Sequence, residues 1–138
     1  MTRWAIADTG PLVAFLDKGQ AHHAWAKQQI RTLQEPLLTC EPVLTEAAFL
    51  LARIPGARDG LFGLIRDGAL RIAFNFSDGC EEIAALCAKY HNLPMSLADA
   101  CLVRMAEQND RHAVFTLDSD FRVYRKNGRD AIPLIAPG

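Results

Sequence analysis

Arg3-Trp4-Ala5-Ile6-Ala7-Asp8-Thr9-Gly10-Pro11-Leu12 changes character at Asp8. The residues before it form a short apolar run that reads as a buried strand. After it, Gly10 marks a turn and Pro11 opens a helix, since a first helical turn has no partner for the N–H that proline lacks. Leu12 to Leu16 continue that helix and Gly19 ends it. An acid therefore stands where a strand hands over to a helix. A second such place lies near the other end of the chain. Ala113-Val114-Phe115-Thr116-Leu117 is nearly continuous in apolar side chains, as expected of a strand covered on both faces, and it runs into Asp118 and Asp120.

Between these two places strands and helices alternate. Ala21, Ala24, Trp25, Ala26, Ile30 and Leu33 have helical spacing. Pro36 to Cys40 reads as a strand. Pro42 opens a helix from about Val43 to Arg53, and Ile54-Pro55-Gly56 stops it. Ala57 to Asp67 reads as a helix closed by Gly68, and Leu70 to Phe74 as a short strand. Ser77 or Asp78 is positioned to cap a helix running to about Tyr90. Asn92-Leu93-Pro94 breaks the chain, Ser96 to Gln108 is a strong helix, and Ala131 to Ile135 is a last short strand. Such alternation predicts an α/β fold: a mainly parallel central sheet of four to five strands flanked by helices on both faces. No repeat, linker or low-complexity segment divides the chain, so residues 1–138 are expected to form one domain.

The composition agrees. Half of the 138 residues are hydrophobic and 22% are charged, enough apolar material for one core. The formal net charge of -1 gives no support from global charge to nucleic-acid binding. It does not exclude it, because a divalent-metal site is acidic and masks basic residues in the sum. Cys40, Cys80, Cys87 and Cys101 form no C-x-x-C pair and no zinc spacing, and are expected to be buried reduced thiols. No signal peptide and no bilayer-spanning apolar run is present, so a soluble cytoplasmic protein is expected.

In open parallel sheets, ligands bind beyond the carboxyl ends of the strands. Asp8, Asp118 and Asp120 fall there. Two further acids sit on apolar helices: Glu46 is the only charge between Pro42 and Leu51, and Asp99 the only one from Met95 to Val103. A carboxylate in so apolar a helix has to face water, a partner or a metal, because burying it unpaired is costly. Each acid also has a purely structural use. Asp8 can cap the helix after it, Ser96 and Asp99 fit a capping box, Glu46 can face solvent, and Asp118 and Asp120 can serve the turn. The weight lies in four such segments occurring in one small chain. Gathered carboxylates repel one another and take up protons. Mg²⁺ or Mn²⁺, which prefer oxygen ligands, would relieve that and could activate water against a phosphodiester. Arg122, Arg125 and Lys126 follow the acidic turn and are candidates to hold phosphates, or else a solvated face. None of the four histidines falls in a motif of this kind.

The ordered set Ile6-Ala7-Asp8-Thr9-Gly10-Pro11-Leu12, Thr45-Glu46, Ser96-Leu97-Ala98-Asp99-Ala100 and Thr116-Leu117-Asp118-Ser119-Asp120-Phe121 resembles a PIN domain, specifically a VapC-type toxin of bacterial toxin–antitoxin pairs. Each motif alone is short; the ordered set spans nearly the whole chain. The resemblance implies an endoribonuclease that cuts RNA with Mg²⁺ or Mn²⁺. It implies Asp8, Glu46, Asp99 and Asp118 as the catalytic and metal-binding acids, supported by Thr9 and Thr116. Asp120 occupies a position that some members use, so whether Asp118 or Asp120 faces the metal stays open. Gly10 stands where the family often has serine. The resemblance further implies homodimers and a VapB-type antitoxin whose tail crosses the active groove. Two other enzyme classes fit poorly: a haloacid-dehalogenase-type phosphatase needs an acid at the position of Gly10, and a receiver domain needs paired acids after its first strand. A non-catalytic RNA- or protein-binding module on the same fold is the remaining alternative.

Overall fold

The computed structural model describes residues 3–138. Its centre is β1 (Trp4–Ala7), whose last three residues are fully buried. β1 pairs in parallel with β2 (Leu37–Thr39) on one side and β4 (His112–Phe115) on the other. β3 (Leu70–Ile72) adds beyond β2 and β7 (Leu134–Ile135) beyond β4, again in parallel. The sheet order is β3-β2-β1-β4-β7. The expected α/β architecture with a parallel sheet is therefore what forms. The strands are short, and the two central ones, β1 and β4, end directly before the polar residues Asp8 and Thr116.

The strand order explains where a site can lie. From β1 the chain moves outward to β2 and β3, then returns to the opposite side of β1 as β4. The connections leaving β1 and β4 diverge at their carboxyl ends, and the crevice so opened is the switch point where open α/β sheets bind ligands. Register puts Ala7 beside Phe115, and the Asp8 N–H donates to the Phe115 carbonyl at 2.9 Å. Asp8 and the segment Thr116–Asp118 thus leave the sheet side by side.

Six α-helices flank the sheet among the described residues: α1 (Thr9–Leu16), α2 (His23–Thr32), α3 (Glu41–Leu51), α4 (Ala57–Arg66), α5 (Cys80–Lys89) and α6 (Leu97–Gln108). α1 packs against α2, α3 and α4, while α6 packs against α5 and α3. On α6, eight of the residues from Ala98 to Ala106 are buried core or capping positions, including Cys101, Leu102, Val103 and Met105 at zero exposure.

Several boundary expectations change. Neither Ser77 nor Asp78 caps α5; Gly79 precedes it without a side-chain cap, and the Asp78 N–H donates to Asn75 Oδ1 at 3.1 Å. The run Ala131–Ile135 is not one strand. Asp130–Ala131 (β6) pairs antiparallel with Arg125–Lys126 (β5) in a small ribbon, and the sheet strand begins only at Leu134, because Pro133 has no N–H to give a ladder. Cys40 and Cys101 are buried, Cys87 is half-buried, and Cys80 is exposed at the start of α5, outside the core it was expected to join.

Candidate active site

Asp8 follows β1 as the N-cap of α1. Its Oδ1 accepts the Thr9 N–H at 2.7 Å and its Oδ2 accepts the Thr116 hydroxyl at 2.7 Å. The second bond joins residues at opposite ends of the chain and locks the β1 and β4 exits together. Thr116 is fully buried, and its oxygen also accepts the Asp118 N–H at 2.9 Å. Thr9 turns the other way: its hydroxyl donates to Glu46 Oε2 at 3.3 Å, tying α1 to α3. The two threonines therefore each position one carboxylate.

On α6, Asp99 completes the capping box with Ser96, accepting the Ser96 N–H at Oδ2 (3.3 Å) while its own N–H donates to Ser96 Oγ (3.0 Å). The Tyr124 hydroxyl donates to the same Oδ2 at 3.2 Å. Both donors hold Oδ2, and among the described residues none is bonded to Oδ1. The capping role and the cleft role are compatible, because each uses a different oxygen. Asp118 likewise caps the 3-10 turn Ser119–Arg122 through Oδ1, which accepts the Asp120 N–H at 2.8 Å.

Asp8, Glu46, Asp99 and Asp118 all line one cleft of about 390 Å³, together with Thr9, Gly10 and Ser96. Asp118 lines it and Asp120 does not. Gly10 allows the approach: a Cβ there would stand 3.2 Å from three atoms of the Leu117 side chain, which would have to give way by a few tenths of an ångström. Electrostatics record the crowding. The Asp8 carboxyl is pushed up to about 6, chiefly by burial, with the Asp99 and Asp118 charges adding and the Thr116 and Thr9 hydrogen bonds opposing. Asp99 is also raised, again chiefly by burial, with Asp118 contributing. Tyr124 is held above the ordinary phenol range by burial and by the Asp99 charge, so it remains a donor.

The donor set is all oxygen and carries excess negative charge, which suits a hard divalent cation. Among the described residues no three His, Cys, Asp or Glu side chains close in tightly enough to enclose a metal by themselves.

The basic residues after the acidic turn divide. Arg122 is exposed. Arg125 is not free: its guanidinium donates to the carbonyls of Arg122 (2.8 Å), Tyr124 (3.1 Å) and Val123 (3.4 Å), closing the end of the 3-10 turn. Lys126 lies half-buried in the β5–β6 ribbon. Sequence reasoning overlooked Tyr124. The one available sign was its place three residues after Phe121, where both rings are fully buried and meet edge-to-face at 5.2 Å.

Residues 5–127 match the family model described as PIN domain. Ribonuclease VapC26 of Mycobacterium tuberculosis is 28% identical over 116 residues, covering 82% of this chain and 85% of that protein. The crystal structure of Mycobacterium tuberculosis VapC20, described as a sarcin–ricin-loop-cleaving toxin, superposes with a TM-score of 0.76 at 21% identity, covering 86% of this chain and 93% of that one. At that identity the likeness is one of fold.

Proposed function

The chain belongs to the PIN domain family, and from that premise we propose that it is a metal-dependent endoribonuclease, acting as one domain over residues 1–138 and as the toxin of a VapBC-type pair in the cytoplasm. The observation that carries the proposal is the convergence of four carboxylates, from the ends of β1 and β4 and from α3 and α6, on one cleft at the sheet's switch point. VapC26, named a ribonuclease, supports the choice of RNA over other phosphodiesters.

Asp8, Glu46, Asp99 and Asp118 would hold Mg²⁺ or Mn²⁺, whose chemistry is to neutralise charge at the phosphodiester and to acidify water. Asp8 is held rigidly through both oxygens, so it serves as the fixed reference of the site. Asp99 offers Oδ1 while Ser96 and Tyr124 restrain Oδ2. Glu46 is exposed and held by one bond at 3.3 Å from the Thr9 hydroxyl. Thr9 and Thr116 orient carboxylates as outer partners. Asp120 supports the turn through backbone bonds from Val123 and Tyr124 to its carbonyl. Arg122 is the cation best exposed to meet RNA phosphate, with Lys126 half-buried in the β5–β6 ribbon and Arg125 engaged in the turn.

A VapB-type antitoxin and a second copy of the chain are the partners this reading carries. Apolar surface is available for them: Phe49 is 79% exposed and Leu50, at the cleft wall, 50%. No helix of the described residues is long and apolar enough to cross a membrane.

The decisive experiment is Asp8→Asn combined with Asp99→Asn, which preserves shape and removes two charges. Purified wild-type protein should cut RNA with Mg²⁺ or Mn²⁺ and the double variant should not. Undiminished cutting by the variant would end the proposal.

A further inference from the structure

A second compartment of about 320 Å³ adjoins the acidic cleft, sharing Leu117 and Asp118 as a common wall. Its far side carries His22, Ser119 and Arg122. The chemistry reverses across the wall. The first compartment is lined by four acids, whereas Asp118 is the only acid of the second, which holds a guanidinium, a hydroxyl and an imidazole. The Arg122 side chain has no hydrogen bond or ion pair among the described residues, unlike Arg125, whose guanidinium is committed to backbone carbonyls. The His22 ring is exposed yet braced from the core: it meets Trp25 edge-on at 6.3 Å, and Trp25 packs at 5.5 Å on the fully buried Phe115 of β4.

We infer that this compartment is a nucleotide subsite for an unpaired stretch of RNA, in which Arg122 pairs with a phosphate next to the one over the acids and His22 stacks on the adjoining base. The inference rests on the nuclease reading and adds the two residues, His22 and Arg122, that would hold the nucleotide next to the cut. A strand whose phosphate lies over the acids passes Asp118 directly into the compartment. A braced ring offers a stacking surface only to a base that has left its own stack, as RNA loops and single strands permit. A duplex presents two phosphate backbones and needs a broad basic face. This chain has a net charge of -1 and one uncommitted guanidinium in the compartment.

The test uses the full chain silenced by Asp8→Asn, so that binding is read without cutting. Fluorescence anisotropy would follow a short labelled single-stranded RNA of mixed sequence and a fully paired duplex of the same composition. Adding His22→Ala or Arg122→Ala should each weaken single-strand binding at least about fivefold, the lower end for losing one stacked base. Arg122→Ala should also flatten the salt dependence by about one phosphate. Arg129→Ala, an exposed cation elsewhere, should change neither. The duplex should bind about tenfold more weakly than the single strand. If the silenced parent binds RNA but the His22 and Arg122 variants bind equally well, or the duplex binds as tightly, the subsite is refuted while the nuclease reading stands. If the parent binds no RNA and the wild type with Mn²⁺ leaves it intact, the nuclease reading fails and the subsite falls with it.

Discussion

Asp8→Asn should make the metal-free protein more stable at pH 7.5, although it removes the site's central acid. The Asp8 carboxyl is raised from an ordinary 3.8 to about 6, chiefly by burial. At about 1.36 kcal/mol per pKa unit, keeping it ionised in the folded state costs about 3 kcal/mol. The sign follows from proton binding. Between the two pKa values the folded state holds more protons than the unfolded state, so stability is greatest below about pH 4 for this group and is lost as pH rises through about 6. Asparagine removes the charge but not the geometry. Its Oδ1 can still accept the Thr9 N–H, whereas its amide now faces Thr116, whose hydroxyl proton loses its acceptor. That loss costs about 1 kcal/mol or more, leaving a net gain of about 1–2 kcal/mol. Urea unfolding in EDTA at pH 5.0 and 7.5 measures it. The wild type should lose stability between the two pH values, the variant should lose less, and saturating Mg²⁺ should restore the wild type alone. A variant less stable than wild type at pH 7.5 without metal, or a wild type with no loss between pH 5.0 and 7.5, would refute the reasoning.

Three further outcomes are expected. Tyr124→Phe keeps the buried ring and its packing but removes the hydroxyl bond to Asp99; it should cost about 1–2 kcal/mol in stability and weaken Mn²⁺ binding by calorimetry about tenfold, and unchanged affinity would mean that the hydroxyl does not position the carboxylate. Thr116→Val removes both the donor to Asp8 and the acceptor for the Asp118 N–H. It should destabilise by about 2 kcal/mol at pH 7.5, where the lost bond is to a charged group, and by less at pH 5.0, as read from paired denaturant curves. Gly10→Ser should lower the melting temperature through an overpacking cost of about 1 kcal/mol or more, because Leu117 must retreat from a Cβ at 3.2 Å; a serine tolerated without change would show that the β4 exit is free to move.

Much of the site was readable because its acids break local rules. Asp8 and Asp118 end strands, and Glu46 and Asp99 interrupt apolar helices, so each stands out against its neighbours. What misled was local as well. A serine and an aspartate before α5 looked like caps, but a cap requires a particular backbone turn, and here Gly79 occupies the position while Asp78 is held by Asn75. Cys80 resembled the other thiols in composition, and only the direction of its helix decides that it faces outward. Arg125 looked as available as Arg122, yet its side chain folds back on the turn that carries it.

The pattern of apolar runs determined the α/β class, the order of the elements and the strand ends at which two acids had to emerge, because burial periodicity and strand termination are properties of neighbouring residues. Which strands lie side by side is not such a property. The return of β4 to the flank of β1 brings Thr116 onto Asp8 across 108 positions of sequence. The same folding sets Tyr124 against Asp99, selects Asp118 over Asp120 as the acid lining the cleft, and opens a second compartment toward His22. Those contacts depend on distances in space between groups that no local pattern relates, so only the packed chain decides them.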